Sequence, residues 1–497
     1  FVALVAGCVL RIASFRWNSR LQGDVNLFAL TAREFVLHDR LYYPMKFEYS
    51  DNVEYQVLQS PASQLTTILA LETGLLGKLF RTDDTFLILK MMCEISGVLL
   101  VVAVVACVGV RSGGPSQALV AASCVALSPM IVDFSANGSS YILSAVIILL
   151  AMIVLRRFRY GRTSDYALAG ILCGTGLLVH SALICVPGTF FVFGLAERSR
   201  VTWKGVIAFV LAGLVVLAPW MIWNECLFGK PFYSYSGFYL VKKLGLAHTG
   251  IYGDMITTRA TASFDTVWME WVSFVATTAV VFVLYYVGEI GPFCLILAAI
   301  GLRSLFKGDR QNAIAFLLPS VFYTAVIFLW ASFRYRYMVP VLPVAYLAAG
   351  FGFVELCGRR VLSRVVAWVC LLGIIVWSVL GFLEVPPTRY YLNDSAYAAR
   401  YEKMRALSGE LGELQQGVVL GYSESLDGGF ETMYWNPFPF VYARDFHGEE
   451  EVRKLVDDFD VRYIWADDLT RDRVEAYVPE AEIILRNEPY YVFEIRD

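Results

Sequence analysis

Thirteen apolar runs punctuate the first 385 residues, near 1–15, 61–80, 85–110, 115–134, 141–155, 165–180, 181–196, 206–224, 266–286, 288–306, 312–332, 337–357 and 364–384. Runs of roughly 18 residues or more recur among them, long enough for a helix to cross a hydrocarbon core of about 30 Å. The polar punctuation decides which ones cross. Short basic clusters stand at Arg156-Arg157-Phe158-Arg159 with Arg162, at Arg198, Arg200 and Lys204, at Arg303, Lys307 and Arg310, and at Arg359, Arg360 and Arg364. Placing all of them in the cytoplasm obeys the positive-inside tendency, and it stops segments 61–80 and 266–286 from crossing. Their compositions agree. The first follows Pro61 and carries Gln64, Glu72 and Lys78; the second opens with Trp268, Glu270 and Trp271, an interfacial mixture. The pattern predicts a polytopic α-helical membrane protein with eleven crossings, its N-terminus inside and its C-terminus outside. Loops 17–84 and 225–287 and the tail then share the external face, with two juxtamembrane helices lying on it.

The pattern changes at Pro386-Pro387, which divides a membrane domain, 1–385, from a soluble domain, 386–497. In the tail, helical spacing over Ala396–Leu414 and Glu449–Phe459 alternates with strand-like runs at Gly417–Tyr422, Val461–Trp465, Ala481–Leu485 and Tyr490–Ile495. Short strands interleaved with helices predict a small α/β domain. No Gly-rich nucleotide fingerprint follows its first strand, so no cofactor is assigned to it.

Composition fits the membrane reading: 57% of residues are hydrophobic and 17% charged, against about 25% charge in a soluble domain. A net charge of −3 supplies no basic field, so nucleic acid is not an expected partner. His38, His180, His248 and His447 lack metal-ligand spacing. The ten cysteines lie in or beside apolar runs and read as buried free thiols. The chain begins at Phe1 without Met, so a short preceding piece is expected; Phe1–Phe15 reads as the first span, with no signal-peptide cleavage site after it.

Candidate chemistry gathers on the external side. Asp24, in Gly23-Asp24-Val25-Asn26, opens a stretch with helical apolar spacing to Phe35. That is an N-cap position, and a carboxylate at the water–lipid boundary can also serve as a general base. Arg334 and Arg336 sit at an outer membrane edge, suited either to snorkelling or to gripping a phosphate with a planar donor fork. Arg11, inside the first span, is a costly charge that calls for an acidic partner or a donor phosphate. Arg33-Glu34 reads as an exposed or locally paired couple, Asp83-Asp84 as caps or solvated charge, and His180 as a hydrogen-bonded helix residue.

Taken in order, these pieces resemble the GT-C superfamily of integral-membrane glycosyltransferases, in the branch of protein O-mannosyltransferases and lipid A aminoarabinose transferases. The matching pieces are Gly23-Asp24, Phe28, Ala32-Arg33-Glu34, His38-Asp39-Arg40-Leu41-Tyr42-Tyr43-Pro44 and Gln59-Ser60-Pro61. Later ones are Ala126-Leu127-Ser128-Pro129, Pro219-Trp220 with Asn224, Phe228-Gly229-Lys230-Pro231, and Phe333-Arg334-Tyr335-Arg336-Tyr337 leading to Pro340 and Pro343. The chain departs from the pattern where Val25 replaces a second acid and Ser60 replaces a Lys. It departs again where Ser139, Ser140 or Asp133 stand for an Asp opening a later span.

The resemblance implies a GT-C-like fold and an inverting glycosyltransferase that moves a sugar from a polyprenyl-phosphate donor to a lipid, glycan or protein acceptor. It implies Asp24 as catalytic base, Arg334, Arg336 and Arg11 as donor-phosphate contacts, and Tyr43, Gln59, Tyr337 and Lys230 as substrate contacts. No metal ligands are assigned, and a divalent metal stays open. The expected setting is a bacterial or archaeal cell membrane with the site on its external face. The rival readings are an inactive GT-C-like scaffold and a polytopic lipid or sugar transporter.

Overall fold

The computed structural model describes residues 2–17, 24–39, 42–46, 58–61, 67–110, 114–158, 161–196, 201–228, 264–308, 310–329, 335–382, 395–422, 434, 436–438, 440–443 and 449–496. The membrane part comprises α1 (Val2–Trp17), α2 (Asp24–His38), α3 (Thr67–Phe80), α4 (Thr85–Val110), α5 (Pro115–Leu127), α6 (Pro129–Ala136) and α7 (Ser140–Phe158). It continues through α8 (Thr163–Val179), α9 (Cys185–Ala196), α10 (Trp203–Phe228), α11 (Phe264–Gly308), α12 (Arg310–Leu329), α13 (Leu342–Cys357) and α14 (Val361–Phe382). Among the described residues five helices are long and apolar enough to cross a membrane, or six if α5 and α6 form one bent span; four further apolar helices are shorter. All ten cysteines are free thiols.

Two helices are broken for local reasons. Pro129 cannot donate to the helix it interrupts. The chain bends by 61° there, and Ser128 Oγ restarts α6 by accepting from Ile131 N at 3.5 Å. Within α11, Gly291 adopts φ +71° just before Pro292, a conformation that favours glycine. The buried Glu289 carboxylate ties the two breaks together, accepting from Met130 N at 3.2 Å and from Ser128 Oγ at 3.4 Å. Elsewhere small residues let backbones touch. A methyl added at Gly301 would overlap the carbonyl oxygen of Ala348, and one at Gly352 that of Leu297, so α11 and α13 pack backbone to backbone, as membrane helices do without a hydrophobic drive between them.

The C-terminal part adds α15 (Ser395–Gly412), α16 (Glu449–Phe459) and α17 (Arg471–Tyr477) around a seven-stranded mixed sheet. The strands are β1 (Tyr42–Lys46), β2 (Leu58–Pro61), β3 (Val418–Tyr422), β4 (Phe440–Ala443), β5 (Val461–Asp467), β6 (Ala481–Asn487) and β7 (Tyr490–Ile495), in the spatial order β2-β1-β4-β3-β5-β7-β6. The parallel centre β1-β4-β3-β5 is flanked by antiparallel β2 on one side and β7-β6 on the other. The expected tail helices and strands are present, and β4 joins them.

Two features differ from the sequence reading. The helix expected over 61–80 begins at Thr67, because Pro61 closes β2, paired with Tyr42. The sheet is not confined to the tail: β1 and β2 come from the first loop, and β1 pairs with β4 at Met45↔Tyr442 and Lys46↔Ala443. One sheet face buries Leu420, Tyr422, Ile464 and Phe493 under Val452 of α16 and Val474 of α17. The other turns Val419, Tyr463, Trp465 and Val492 toward Met404 and Leu407 of α15. The same apolar cluster continues into Val25, Phe28 and Leu30 of α2 and Phe86 and Leu89 of α4. Each fully buried large side chain of this kind stabilises the junction by about 1.5–3 kcal/mol.

Candidate functional site

The site is assembled where α2 begins. Asp24 is the first residue of that helix, and the next, Val25, is buried against the turn between α6 and α7. Gly138 makes that turn at φ +85°. A methyl there would lie 3.1 Å from Val25 Cγ1 and 3.2 Å from Leu89 Cγ, so α2, α4 and the turn meet closely. Asn137 Oδ1 accepts from Ser139 N at 3.1 Å, and Ser139 Oγ from Tyr141 N at 3.4 Å. These bonds satisfy donors at the start of α7 and fix the backbone of Tyr141.

Tyr141 is the hub of an aromatic enclosure. Its buried ring lies 6.0 Å from Phe134, 5.2 Å from His180 and 5.7 Å from Tyr337, centroid to centroid. The half-buried Arg336 guanidinium sits 5.6 Å from the Tyr141 centroid and 5.9 Å from that of Tyr337, within range of a cation–π attraction. Tyr335 closes the ring from Phe134 at 5.8 Å. His180 Nδ1 accepts from Ala182 N at 3.1 Å, the hydrogen-bonded role expected of it. The Tyr335–Met338 segment is a 3-10 turn between α12 and α13, so Arg336 and Tyr337 are carried on a short, braced element.

Arg11 lies elsewhere. It is 4% exposed in α1, donates to Ser135 Oγ at 2.6 Å and faces Glu94 Oε1 at 3.8 Å. Of the two partners expected for it, the acidic one is found. Tyr43 and Gln59 stand on β1 and β2, where Tyr43 pairs with Ser60 and Gln59 with Pro44. Arg334 and Lys230, and the side chain of Asp24, lie outside the described residues. Among the described residues no three His, Cys, Asp or Glu side chains come together as a metal-binding group.

The sequence reading missed a polar junction on the same face. Arg33 and Glu34, expected as a surface couple, are both buried, because the tail domain covers α2. Arg33 Nη1 donates to the carbonyl oxygen of Asn436 at 2.6 Å, and Nη2 to Asp83 Oδ2 at 2.9 Å. Tyr434 Oη accepts from Phe86 N at 2.8 Å and lies 3.3 Å from Thr85 Oγ1, which donates to the carbonyl of Ala29 at 2.7 Å. Burial pushes the Tyr434 phenol up, so it remains a neutral hydroxyl. Asp84 caps α4 by accepting from Leu87 N at 3.0 Å. The residue types Arg, Asp and Tyr were visible in the sequence; their meeting across 403 positions was not.

Comparison with known proteins places this geometry. Residues 70–223 match the family described as dolichyl-phosphate-mannose-protein mannosyltransferase. The structure resembles ArnT from Cupriavidus metallidurans bound to undecaprenyl phosphate with a TM-score of 0.65 at 13% identity, covering 100% of this chain and 97% of that one. The apo state of ArnT gives 0.62, again at 13% identity and with the same coverage. The archaeal oligosaccharyltransferase AglB from Archaeoglobus fulgidus, in complex with an inhibitory peptide and a dolichol-phosphate, gives 0.53 at 12% identity, covering 100% of this chain and 74% of that one. No curated protein sequence matches the chain. The chain thus has the fold of the GT-C glycosyltransferases ArnT and AglB, and part of it, residues 70–223, resembles the protein-mannosyltransferase family in sequence.

Proposed function

We propose that this chain is an inverting glycosyltransferase that moves a sugar from a polyprenyl-phosphate donor to a lipid, glycan or protein acceptor on the external face of a membrane it crosses eleven times. The observation that carries the reading is the meeting of the Asp24 end of α2 with the Gly138 turn and, through Tyr141, with the braced cation Arg336. Asp24 takes the proton of the acceptor nucleophile. The nucleophile bonds to the anomeric carbon as the bond from that carbon to the phosphate oxygen breaks, and the configuration inverts. Negative charge grows on the departing lipid phosphate, where Arg336, with Arg334 two residues earlier, stabilises it through planar N–H donors. Tyr337, Tyr43, Gln59 and Lys230 are the proposed substrate contacts. The undecaprenyl phosphate bound to ArnT and the dolichol-phosphate in complex with AglB support a polyprenyl-type carrier.

The test is transfer of radiolabelled sugar from a panel of polyprenyl-phosphate donors by the purified protein and its Asp24→Asn variant. A base of this kind contributes about 10²–10⁴-fold, so the variant is expected to lose at least about 100-fold in rate while keeping its fold. Undiminished transfer by the variant would remove Asp24 as the base. An inactive scaffold would show no transfer in either protein across donors and acceptors.

A further inference from the structure

We infer that Tyr434 and Asn436 of the tail form a clamp that sets the position of the Asp24 helix, with Arg33 and Tyr434 acting as positioning residues. This rests on the reading of Asp24 as the base.

The geometry holds α2 at three levels. At its start, Val25 is pressed against Gly138 and Leu89. In its middle, the Ala29 carbonyl accepts from Thr85, whose hydroxyl lies beside that of Tyr434. One turn further on, Arg33 spans from the Asn436 carbonyl to Asp83, its guanidinium 5.7 Å from the Tyr434 ring centroid. Immediately after α2, β1 pairs with β4, which follows the clamp closely in the chain. Two adjoining stretches of the tail therefore grip α2 in its body and just beyond its end.

A short helix moves as a rod, so a shift at Arg33 is delivered to Asp24. Catalysis by a positioned base is sensitive to displacements of about 1 Å, which can cost about 100-fold. Arg33 is 6% exposed, and its planar fork aims two separate nitrogens at a carbonyl and a carboxylate from different parts of the chain, a spread that a single ammonium nitrogen does not reproduce. Lysine keeps the charge and loses one of the two bonds. Tyr434→Phe keeps the volume and leaves the Phe86 N–H without its acceptor.

The experiment uses the full-length protein in lipid nanodiscs, as wild type, Arg33→Lys and Tyr434→Phe. Hydrogen exchange across 24–38 is compared with exchange across β3 and β5, and sugar transfer is measured in parallel. Exchange over 24–38 should quicken by about tenfold in both variants, the factor one net hydrogen bond commands, with β3 and β5 unchanged. The kcat should fall by at least about tenfold with the donor KM within about twofold, the mark of a lost transition-state alignment. Unchanged exchange over 24–38 overturns the clamp. So does equal quickening in β5, which would mean general loosening, or a raised KM at constant kcat, which would make Arg33 a donor contact. If the wild type transfers no sugar from any donor, the proposed reaction falls while the exchange result still decides the clamp.

Discussion

Two buried arginines, 22 residues apart, meet opposite fates. Arg11 sits within the bundle on α1, with Glu94 and Ser135 as partners, and its Nη2 and Glu94 Oε2 are buried with no hydrogen-bond partner among the described residues. Arg33 sits where membrane helices meet the sheet, with a backbone carbonyl, an aromatic face and a carboxylate whose side chain is 53% exposed. The first charge is balanced by another charge in apolar surroundings. The second is balanced largely by neutral acceptors at the edge of water. A buried ion pair is expensive to break from one side, while a half-exposed one is worth little by itself. The two regions should therefore respond differently to the same kind of substitution.

The largest effect is expected from Glu94→Leu. It leaves Arg11 enclosed without its counter-charge, and a guanidinium cannot shed its proton to escape the cost. Breaking a fully buried pair in this way costs about 3–5 kcal/mol, and with the Glu94 side chain 23% exposed the expected loss lies at the lower end of that range. Arg11→Leu should cost less, because a carboxylate left behind can take up a proton. The double variant should lie nearer the wild type than Glu94→Leu does. Unfolding of the purified protein in mixed micelles measures all three, and a double variant no better than Glu94→Leu would show that packing, not charge, dominates there.

Gly97→Ala probes the same pair through space alone. A methyl at 97 would overlap Arg11 Nη1 and crowd Ser135 Oγ. Overpacking of this kind costs about 1–3 kcal/mol. In the Arg11→Leu background the clash changes partner, so the two effects should fail to add. Strict additivity would disprove the contact.

The contrast also separates what could be read from the sequence from what could not. Apolar runs placed α4, α7, α10 and α14, because a membrane span is a local property of about 20 consecutive residues. The strand-like run Tyr490–Ile495 and the helical spacing of Glu449–Phe459 were equally local. Asp24 was legible as the opening of a helix, since caps are local too. The strand at Tyr42–Lys46 was not, because it contains Pro44 and gains its place only by pairing with Tyr442 and Ala443. Arg336 was legible as an unusual charge at a membrane edge, but its bracing by Tyr141 depends on a turn two hundred residues earlier in the chain. Arg33 looked like surface for the same reason: the stretch that buries it is written 403 positions away.

A middle-sized effect belongs to the junction. Thr85→Val removes an additional donor to the Ala29 carbonyl at nearly constant shape; the carbonyl keeps its acceptor role within α2, so the cost is that of one net hydrogen bond, about 0.5–1.5 kcal/mol. Thermal unfolding should show the loss, and exchange should localise it to α2 and the start of α4. A loss spread over α11 and α13 instead would mean that the junction does not act locally.

The smallest effect is expected from Asp83→Asn, and salt makes it the sharpest discriminator between the two arginines. Asp83 keeps an oxygen for Arg33 when it becomes Asn, so only charge is lost, and its side chain is more than half exposed. A pair of that kind contributes about 0.2–1 kcal/mol. At 1 M salt the screening length falls to about 3 Å, and the stability difference between wild type and Asp83→Asn should vanish. The Glu94→Leu deficit should persist at the same salt, because ions do not enter the apolar bundle around Arg11. If salt erases both deficits, Arg11 is reached by water and ions, and the enclosed environment argued for it is wrong. If salt erases neither, the Arg33 fork owes its strength to geometry rather than charge, which the Arg33→Lys variant would then expose by itself.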